Sequence, residues 1–315
     1  MLLALFGFQA SLKEGEQTDG SCQGGESVLK RRLGIPWIAH WDDPDPIQLC
    51  PPPYGTGPAA RLPRPHRAVL GSTAKNADAH IFPCERLAKY IADILPYNIR
   101  NRSFVVPHPV LENPCGMVLQ AETGQLFELT HAGSLDSFRD PTTFLVGMAE
   151  FLKRCPTPEK IRLTLISGAG SYDYGELIRG LGLSRHVLRL GFLDYATVMR
   201  RLAMSTVLLI IEAPLREGIF FPSKFADYVQ AGRPVLAVSP REGTLADYIK
   251  SYGGGLAADQ RDPAQIAECI SRLYMAWRSG TLEAEFDTRG LRKVFGENEV
   301  ARRYDDLFGA VLKVS

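Results

Sequence analysis

Residues 218–238 read GIFFPSKFADYVQAGRPVLAV, and this stretch decides the fold. Pro222 suits the first turn of a helix, because its φ is already helical and its missing N–H would have no partner there. Phe225 and Val229 then fall on one helical face, and Gly232 is typical of a helix end. The run PVLAV that follows favours a strand buried on both faces of a parallel sheet. The stretch therefore predicts the end of a βαβ unit.

The polar residues of this helix, Ser223, Lys224 and Asp227, are predicted on the side away from its apolar face. A helix N-terminus offers unpaired N–H groups and partial positive charge, so it suits an anion, and Lys224 adds a full charge. Asp227, one turn further along, could accept hydrogen bonds from a ribose. A Lys–Asp pair on a solvated helix face is the alternative, and the pattern alone leaves both open.

The rest of the chain shows the same alternation from about residue 126. Five strand candidates alternate with five helical stretches, which is typical of a doubly wound parallel sheet. The strands are LFELTHAG, IRLTLISG, VLRLGF, TVLLIIE and PVLAVS, and the helices lie near 141–154, 172–182, 194–203, 222–231 and 243–252. Earlier, the apolar runs IPWIAHW and SFVVPHPV flank a helical CERLAKYIADIL, and they predict a second, smaller α/β unit. A Pro- and Gly-rich linker is expected at 109–117.

Composition excludes several classes of function. The chain has 315 residues and a formal net charge of +1, which argues against a dedicated nucleic-acid binder. Its six cysteines show no C-x-x-C spacing, so neither a zinc site nor a disulfide framework is indicated. The apolar N-terminus lacks the basic segment of a signal peptide. We therefore expect a reduced, cytoplasmic setting.

Four consecutive segments of the chain are HAGSLDSFRDPTTFLVGMAEFL, LTLISGAGSYDYGELIRGLGL, HVLRLGFLDYATVMRRLAMSTVLLI and FFPSKFADYVQAGRPVLAV. In this order they resemble the donor-binding domain of the retaining glycosyltransferases of family four. The likeness covers about residues 126–275, and GIPWIAHWDDP is similar to part of that family's N-terminal domain. It implies an α/β fold of the GT-B type, with two Rossmann-like domains facing a cleft and the N-terminal one shortened. The implied boundaries are 1–113 for the acceptor-side domain, 114–290 for the nucleotide-sugar domain and 291–315 for a C-terminal helix.

The resemblance assigns roles around the Pro-Ser-Lys variant of the family's donor motif. Ser223 and Lys224 would contact the diphosphate, and Asp227 takes the place of the glutamate associated with ribose. The motif's other glutamate has no counterpart at the usual spacing, where Ile219 stands. Glu217, two positions upstream, is the candidate for its role.

Further candidates lie outside that motif. Arg139 keeps the family's spacing from the loop glycine Gly133 and would contact phosphate, unless it forms a surface pair with Asp140. His40 and Asp43 stand near the family's usual catalytic position, although a histidine at a strand end and an acidic turn can also be structural.

The resemblance implies a hexosyltransferase-like enzyme that moves a sugar from a nucleotide-diphosphate donor to a glycan, lipid-linked or small-molecule acceptor, with retention and without a metal. An epimerase of GT-B fold and a non-catalytic nucleotide-sugar-binding protein are the alternatives. A basic cluster could meet anionic lipid headgroups at the inner face of a membrane, or form only a solvated face. Its members are Lys30, Arg31, Arg32, Arg61, Arg64 and Arg67.

Residues 1–34 show no recognisable first strand or glycine-rich loop. The sequence therefore predicts an N-terminal sheet without its opening strand, and low transferase turnover as a consequence.

Overall fold

The structure is a computed structural model that describes residues 4–8, 30–111, 125–167 and 172–314. The chain forms two compact units. The first contains the described residues up to His108, the short segment Ile219–Phe221 and the C-terminal helix from Asn298. The second contains Pro109–Gly218 and Pro222–Glu297. The predicted linker at 109–117 runs beyond residue 111 and out of the described residues.

The first unit is built on a parallel sheet with the strand order β1-β2-β3-β4. Its strands are β1 (Ala4–Phe8), β2 (Trp37–Trp41), β3 (Ala79–Phe82) and β4 (Ser103–Val105), and its first two helices are α1 (Arg64–Asn76) and α2 (Glu85–Ile94). Short 3₁₀ turns lie at Ile47–Leu49, Gly57–Ala59 and Arg100–Arg102.

The expectation of a missing opening strand is wrong. Residues 4–8 form β1, which pairs in parallel with β2 from Ala4 opposite Trp37 to Phe8 opposite Trp41. The partner that supplies the hydrogen bonds of β1 lies far along the chain, so the local sequence gave little sign of the strand. The expected absence of a glycine-rich loop concerns residues outside the described part of the chain, so the predicted low turnover now rests on that loop alone.

The core of the first unit lies between its sheet and the last helix of the chain. Ile38 and Ile81 on neighbouring strands are fully buried, and they pack in one cluster with Val300, Leu307 and Val311. The C-terminal helix therefore belongs to this unit by its apolar contacts.

The second unit contains a parallel sheet with the strand order β10-β9-β8-β5-β6-β7. Its strands are β5 (Phe127–Ala132), β6 (Ile161–Ile166), β7 (Val187–Leu190), β8 (Val207–Ile211), β9 (Val235–Ser239) and β10 (Gly255–Asp259). The helices that follow α2 in the chain are α3 (Thr142–Arg154), α4 (Gly175–Gly180), α5 (Tyr195–Met204), α6 (Ser223–Ala231), α7 (Thr244–Tyr252), α8 (Pro263–Ser279), α9 (Leu282–Glu285), α10 (Arg289–Phe295) and α11 (Glu297–Val314), with a 3₁₀ turn at Pro158–Lys160. The five predicted strands and the alternating helices are confirmed, and α4 is shorter than the predicted stretch.

The order of these strands reverses between β5 and β8. From β5 the chain adds β6 and β7 on one side, and from β8 it adds β9 and β10 on the other. In open α/β sheets a ligand binds at the carboxyl ends of the strands beside such a reversal, because the following loops diverge there. The loops after β5 and β8 are therefore the first place to look for a site.

Helices cover both faces of this sheet, as the long apolar strands require. α3 packs against α8, and α5 packs against α6. All of β8 and β9 is buried.

No helix among the described residues is both long and apolar enough to cross a bilayer.

Candidate functional site

Helix α6 is fixed against the carboxyl ends of β5 and β8. Its apolar face is fully buried, and it ends at Gly232 as predicted. Gly232 adopts the left-handed conformation with φ 72°. The Tyr228 hydroxyl accepts a hydrogen bond from the Ala132 N–H at 2.8 Å and donates one to the Leu209 carbonyl at 3.2 Å. These two bonds hold α6 at the strand reversal.

Lys224, in the first turn of α6, reaches over the loop glycine that follows β5. A Cβ atom placed on Gly133 would lie 2.5 Å from the Lys224 Nζ, and Gly133 has φ +124°, a conformation that other residues rarely adopt. Within the described residues the ammonium group has no hydrogen bond or ion pair. Burial and the neighbouring Arg139 lower the pKa of Lys224 to about 8. The two predicted residues are thus brought together.

Arg139 lies in the same loop and adds a second positive charge. Its Nη1 is 3.6 Å from an oxygen of Asp136, and that carboxylate also accepts the Arg139 backbone N–H at 2.8 Å. Asp140 instead accepts the Thr142 N–H at the start of α3. The acidic partner of Arg139 is therefore Asp136 rather than the predicted Asp140.

Glu212 follows directly after β8 and was not predicted as a site residue. Its side chain is only 7% exposed, and its Oε2 has no hydrogen-bond partner among the described residues. Burial raises the pKa of Glu212 to about 8, against the opposing effect of Arg139 and Lys224. The sequence signal that could have identified Glu212 is its position directly after the apolar run TVLLII.

Asp227 lies one turn after Lys224 and forms a hydrogen bond with a residue of the neighbouring helix α5. The Tyr195 hydroxyl, at the start of α5, donates a hydrogen bond to Asp227 Oδ1 at 2.9 Å. Tyr195 is 50% exposed, so this pair lies where a ligand in solution can reach it. Local sequence carried no signal for the pair, because it depends on how α5 packs beside α6.

The remaining predicted residues of this unit lie in the connection between β8 and α6. Ser223 is exposed as the first residue of α6, and Glu217 is half-buried just before Gly218. Gly218 donates its N–H to the Glu242 carbonyl at 2.9 Å and accepts from the Thr244 N–H at 2.8 Å. These bonds tie the connection to the start of α7, which limits the freedom of Glu217.

His40 and Asp43 belong to the first unit. His40 lies in β2 and is half-buried, and its Nε2 is 3.4 Å from an oxygen of Asp42. The carboxylate nearest to this histidine is therefore Asp42 rather than the predicted Asp43. Asp43 contributes, after burial, to raising the pKa of the Cys50 thiol to about 12.

The basic cluster divides into a structural and an exposed part. Lys30 donates to Asp78 and to the Asn76 carbonyl, both at 2.6 Å, so it fixes the end of α1. Arg61, Arg64 and Arg67 are exposed at and before the start of that helix. No group of three or more His, Cys, Asp and Glu side chains in the described part of the chain is placed to hold a metal ion.

Comparison with known proteins shows the fold. No protein-family profile matches the chain, and no curated protein matches it by sequence. Among solved structures it is similar to sucrose-phosphate synthase from Thermosynechococcus elongatus, with a TM-score of 0.65 and 15% identity over 91% of this chain and 71% of that one. It is similar to HepE from Anabaena, in complex with UDP and glucose, with a TM-score of 0.63 and 14% identity over 92% and 75%. A glycosyltransferase from Rickettsia africae gives a TM-score of 0.64 and 12% identity over 96% and 85%. The chain therefore has two parallel-sheet, Rossmann-like α/β domains, as GT-B glycosyltransferases have.

Proposed function

We propose that the protein is a glycosyltransferase that takes a sugar from a nucleoside-diphosphate donor. The observation that carries this proposal is the Lys224 ammonium at the N-terminus of α6, which lies over Gly133 at the strand reversal and has no hydrogen bond or ion pair with any described residue. A cation, free helix N–H groups and a loop without a side chain together suit a diphosphate. The UDP and glucose bound to HepE, which shares the fold, support the same class of donor.

The chemistry follows from charge. Transfer breaks the bond between the anomeric carbon and the diphosphate oxygen, so negative charge develops on the leaving diphosphate. Lys224, Arg139 and the N-terminus of α6 would stabilise that charge without a metal ion. Ser223 would add a hydroxyl donor, and Asp227 would accept from the ribose.

The acceptor side is assigned to the first unit. The acceptor hydroxyl attacks the anomeric carbon and loses a proton, for which His40, Asp43 and now Asp42 are the candidate groups. We propose a glycan, lipid-linked or small-molecule acceptor and retention of anomeric configuration, as the family resemblance implies. Exposed Arg61, Arg64 and Arg67 would suit an anionic lipid-linked acceptor at the inner face of a membrane.

A donor screen followed by a transfer assay tests the proposal. Thermal shift with UDP-, GDP-, ADP- and dTDP-sugars is expected to show stabilisation by one base class. The selected donor should then release nucleoside diphosphate in the presence of acceptors, and proton NMR of the product reports its anomeric configuration. An epimerised sugar nucleotide formed without acceptor would instead identify an epimerase, and binding without any turnover would identify a binding protein.

Asp227→Asn is expected to weaken nucleoside-diphosphate binding by about tenfold and to leave pyrophosphate binding nearly unchanged, since only the nucleotide carries a ribose. Tyr195→Phe removes the hydroxyl that holds Asp227 and should show the same preference with a smaller effect. Titration calorimetry with both ligands measures the difference. Equal losses for nucleotide and pyrophosphate would mean that Asp227 acts through charge or folding.

A further inference from the structure

A further inference concerns Glu212, and it rests on the proposed function. Its side chain is 7% exposed, and its Oε2 is unpaired within the described part of the chain. A Cβ atom on Gly218 would lie 3.5 Å from that oxygen, so backbone covers the carboxyl group closely. Leaving a buried polar atom unpaired is costly, and a ligand would be expected to supply the missing partner.

Two cations act on Glu212, and neither forms an ion pair with it within the described part of the chain. Arg139 from the loop after β5 and Lys224 from α6 act on Glu212 through their charge, and Asp136 and Asp227 act on Lys224 in turn. His131 in β5 and Glu217, which adjoins Gly218, are the other titratable groups on the elements around it. The ion pair of Arg139 is with Asp136, and Lys224 has none among the described residues. His131 is fully buried with a pKa well below its usual range, so it is neutral and brings no further charge.

The negative charge of a diphosphate decides which protonation state of Glu212 can bind it. An ionised carboxylate beside a diphosphate would repel it, whereas a protonated carboxyl group can donate a hydrogen bond to it. We propose that Glu212 is a donor-binding residue that keeps its proton in the complex and donates a hydrogen bond from its carboxyl group to a phosphate oxygen. This adds a neutral acid to a site otherwise built from cations and helix N–H groups.

The charges of Glu212 and Lys224 make anion binding depend on pH. Glu212 and Lys224 both have a pKa of about 8 in the free protein. As pH rises through this value, Glu212 becomes negative and Lys224 becomes neutral, and both changes oppose an anion. Binding of nucleoside diphosphate near pH 8 should therefore take up protons, and affinity should fall above that pH.

Three variants separate the two groups. Glu212→Gln imitates the protonated acid, Glu212→Leu removes the donor, and Lys224→Arg keeps its positive charge at all pH values used. Nucleoside diphosphate and pyrophosphate are titrated by calorimetry at pH 6.5 and 9, in buffers of different ionisation enthalpy. Circular dichroism and thermal unfolding report whether each variant is folded.

At pH 6.5 the glutamine variant should bind both ligands within about threefold of the wild type, and the leucine variant about 10- to 100-fold more weakly. In the Lys224→Arg background, adding Glu212→Gln should remove the loss of affinity between the two pH values. The part that it removes belongs to Glu212, because ionisation of the ligand itself is common to both proteins. If the leucine variant does not fold, this pH comparison decides alone.

Three results would overturn the inference while leaving nucleotide binding intact. They are an unchanged affinity in a folded leucine variant, a glutamine variant that loses as much as the leucine variant, and a loss seen only for the sugar nucleotide. The last would place the carboxyl group on the sugar. A wild-type protein that binds neither nucleoside diphosphate nor pyrophosphate would overturn the proposed function, and this inference with it.

Discussion

Replacing Lys224 by alanine is expected to weaken nucleoside-diphosphate binding by about 1.5–3 kcal/mol, or roughly 10- to 150-fold, as for loss of a charge-assisted hydrogen bond. Two features favour a large effect: the ammonium has no partner among the described residues, and it lies against the Gly133 loop at a helix N-terminus. The same change should have little effect on folding, because the ammonium forms no hydrogen bond or ion pair with the described residues. Titration calorimetry measures the affinity, and thermal unfolding measures the stability.

The matched control is Lys250→Ala. Lys250 is an exposed lysine in the last turn of α7, within the same unit. The Lys250→Ala substitution removes the same charge from the protein, so it should reproduce any general electrostatic effect on binding. It should not remove the specific contact with the diphosphate. If both lysine variants weaken binding equally, Lys224 is part of a solvated face rather than a phosphate site.

Gly133→Ala is expected to lower affinity for the nucleotide at least tenfold by displacing the lysine, which would lose most of its charge-assisted contact. The new Cβ would lie 2.5 Å from the Lys224 Nζ, and because that atom is the free end of a flexible side chain, it would move away at little cost. The backbone contributes separately, since a φ of +124° disfavours alanine by about 1–3 kcal/mol of folding free energy.

Gly182→Ala separates these two effects. Gly182 also has a positive φ, of 72°, but a Cβ there would have nothing within 4 Å. It should therefore cost stability without lowering affinity. If Gly133→Ala binds the nucleotide as well as Gly182→Ala does, close approach at Gly133 is not what the site requires.

The second unit was largely predictable because its signals are local. TVLLII and PVLAV are continuous apolar runs, as strands buried on both faces must be, and Gly232 ends α6 where expected. By contrast, β10 (GLAAD) carries too little apolar character to be recognised as a strand, and its place is set by pairing with β9. β1 was missed for the same reason, since its pairing with β2 is long-range.

The site was predictable where helix geometry alone places the residues. The helix that carries Lys224 and Asp227 was predicted correctly, but the sequence left open whether the two side chains form a solvated Lys–Asp pair. The structure shows a different arrangement, in which Lys224 approaches Gly133 and Asp227 is held by Tyr195. Such pairs join residues far apart in the chain, so only tertiary packing reveals them.

The most direct test of the account is a crystal structure of the protein with the nucleoside diphosphate that the screen selects. We expect its phosphates at the N-terminus of α6, within hydrogen-bond distance of the Lys224 ammonium, and its ribose hydroxyls against Asp227. A nucleotide bound elsewhere, with the loop after β5 and the start of α6 left empty, would contradict it.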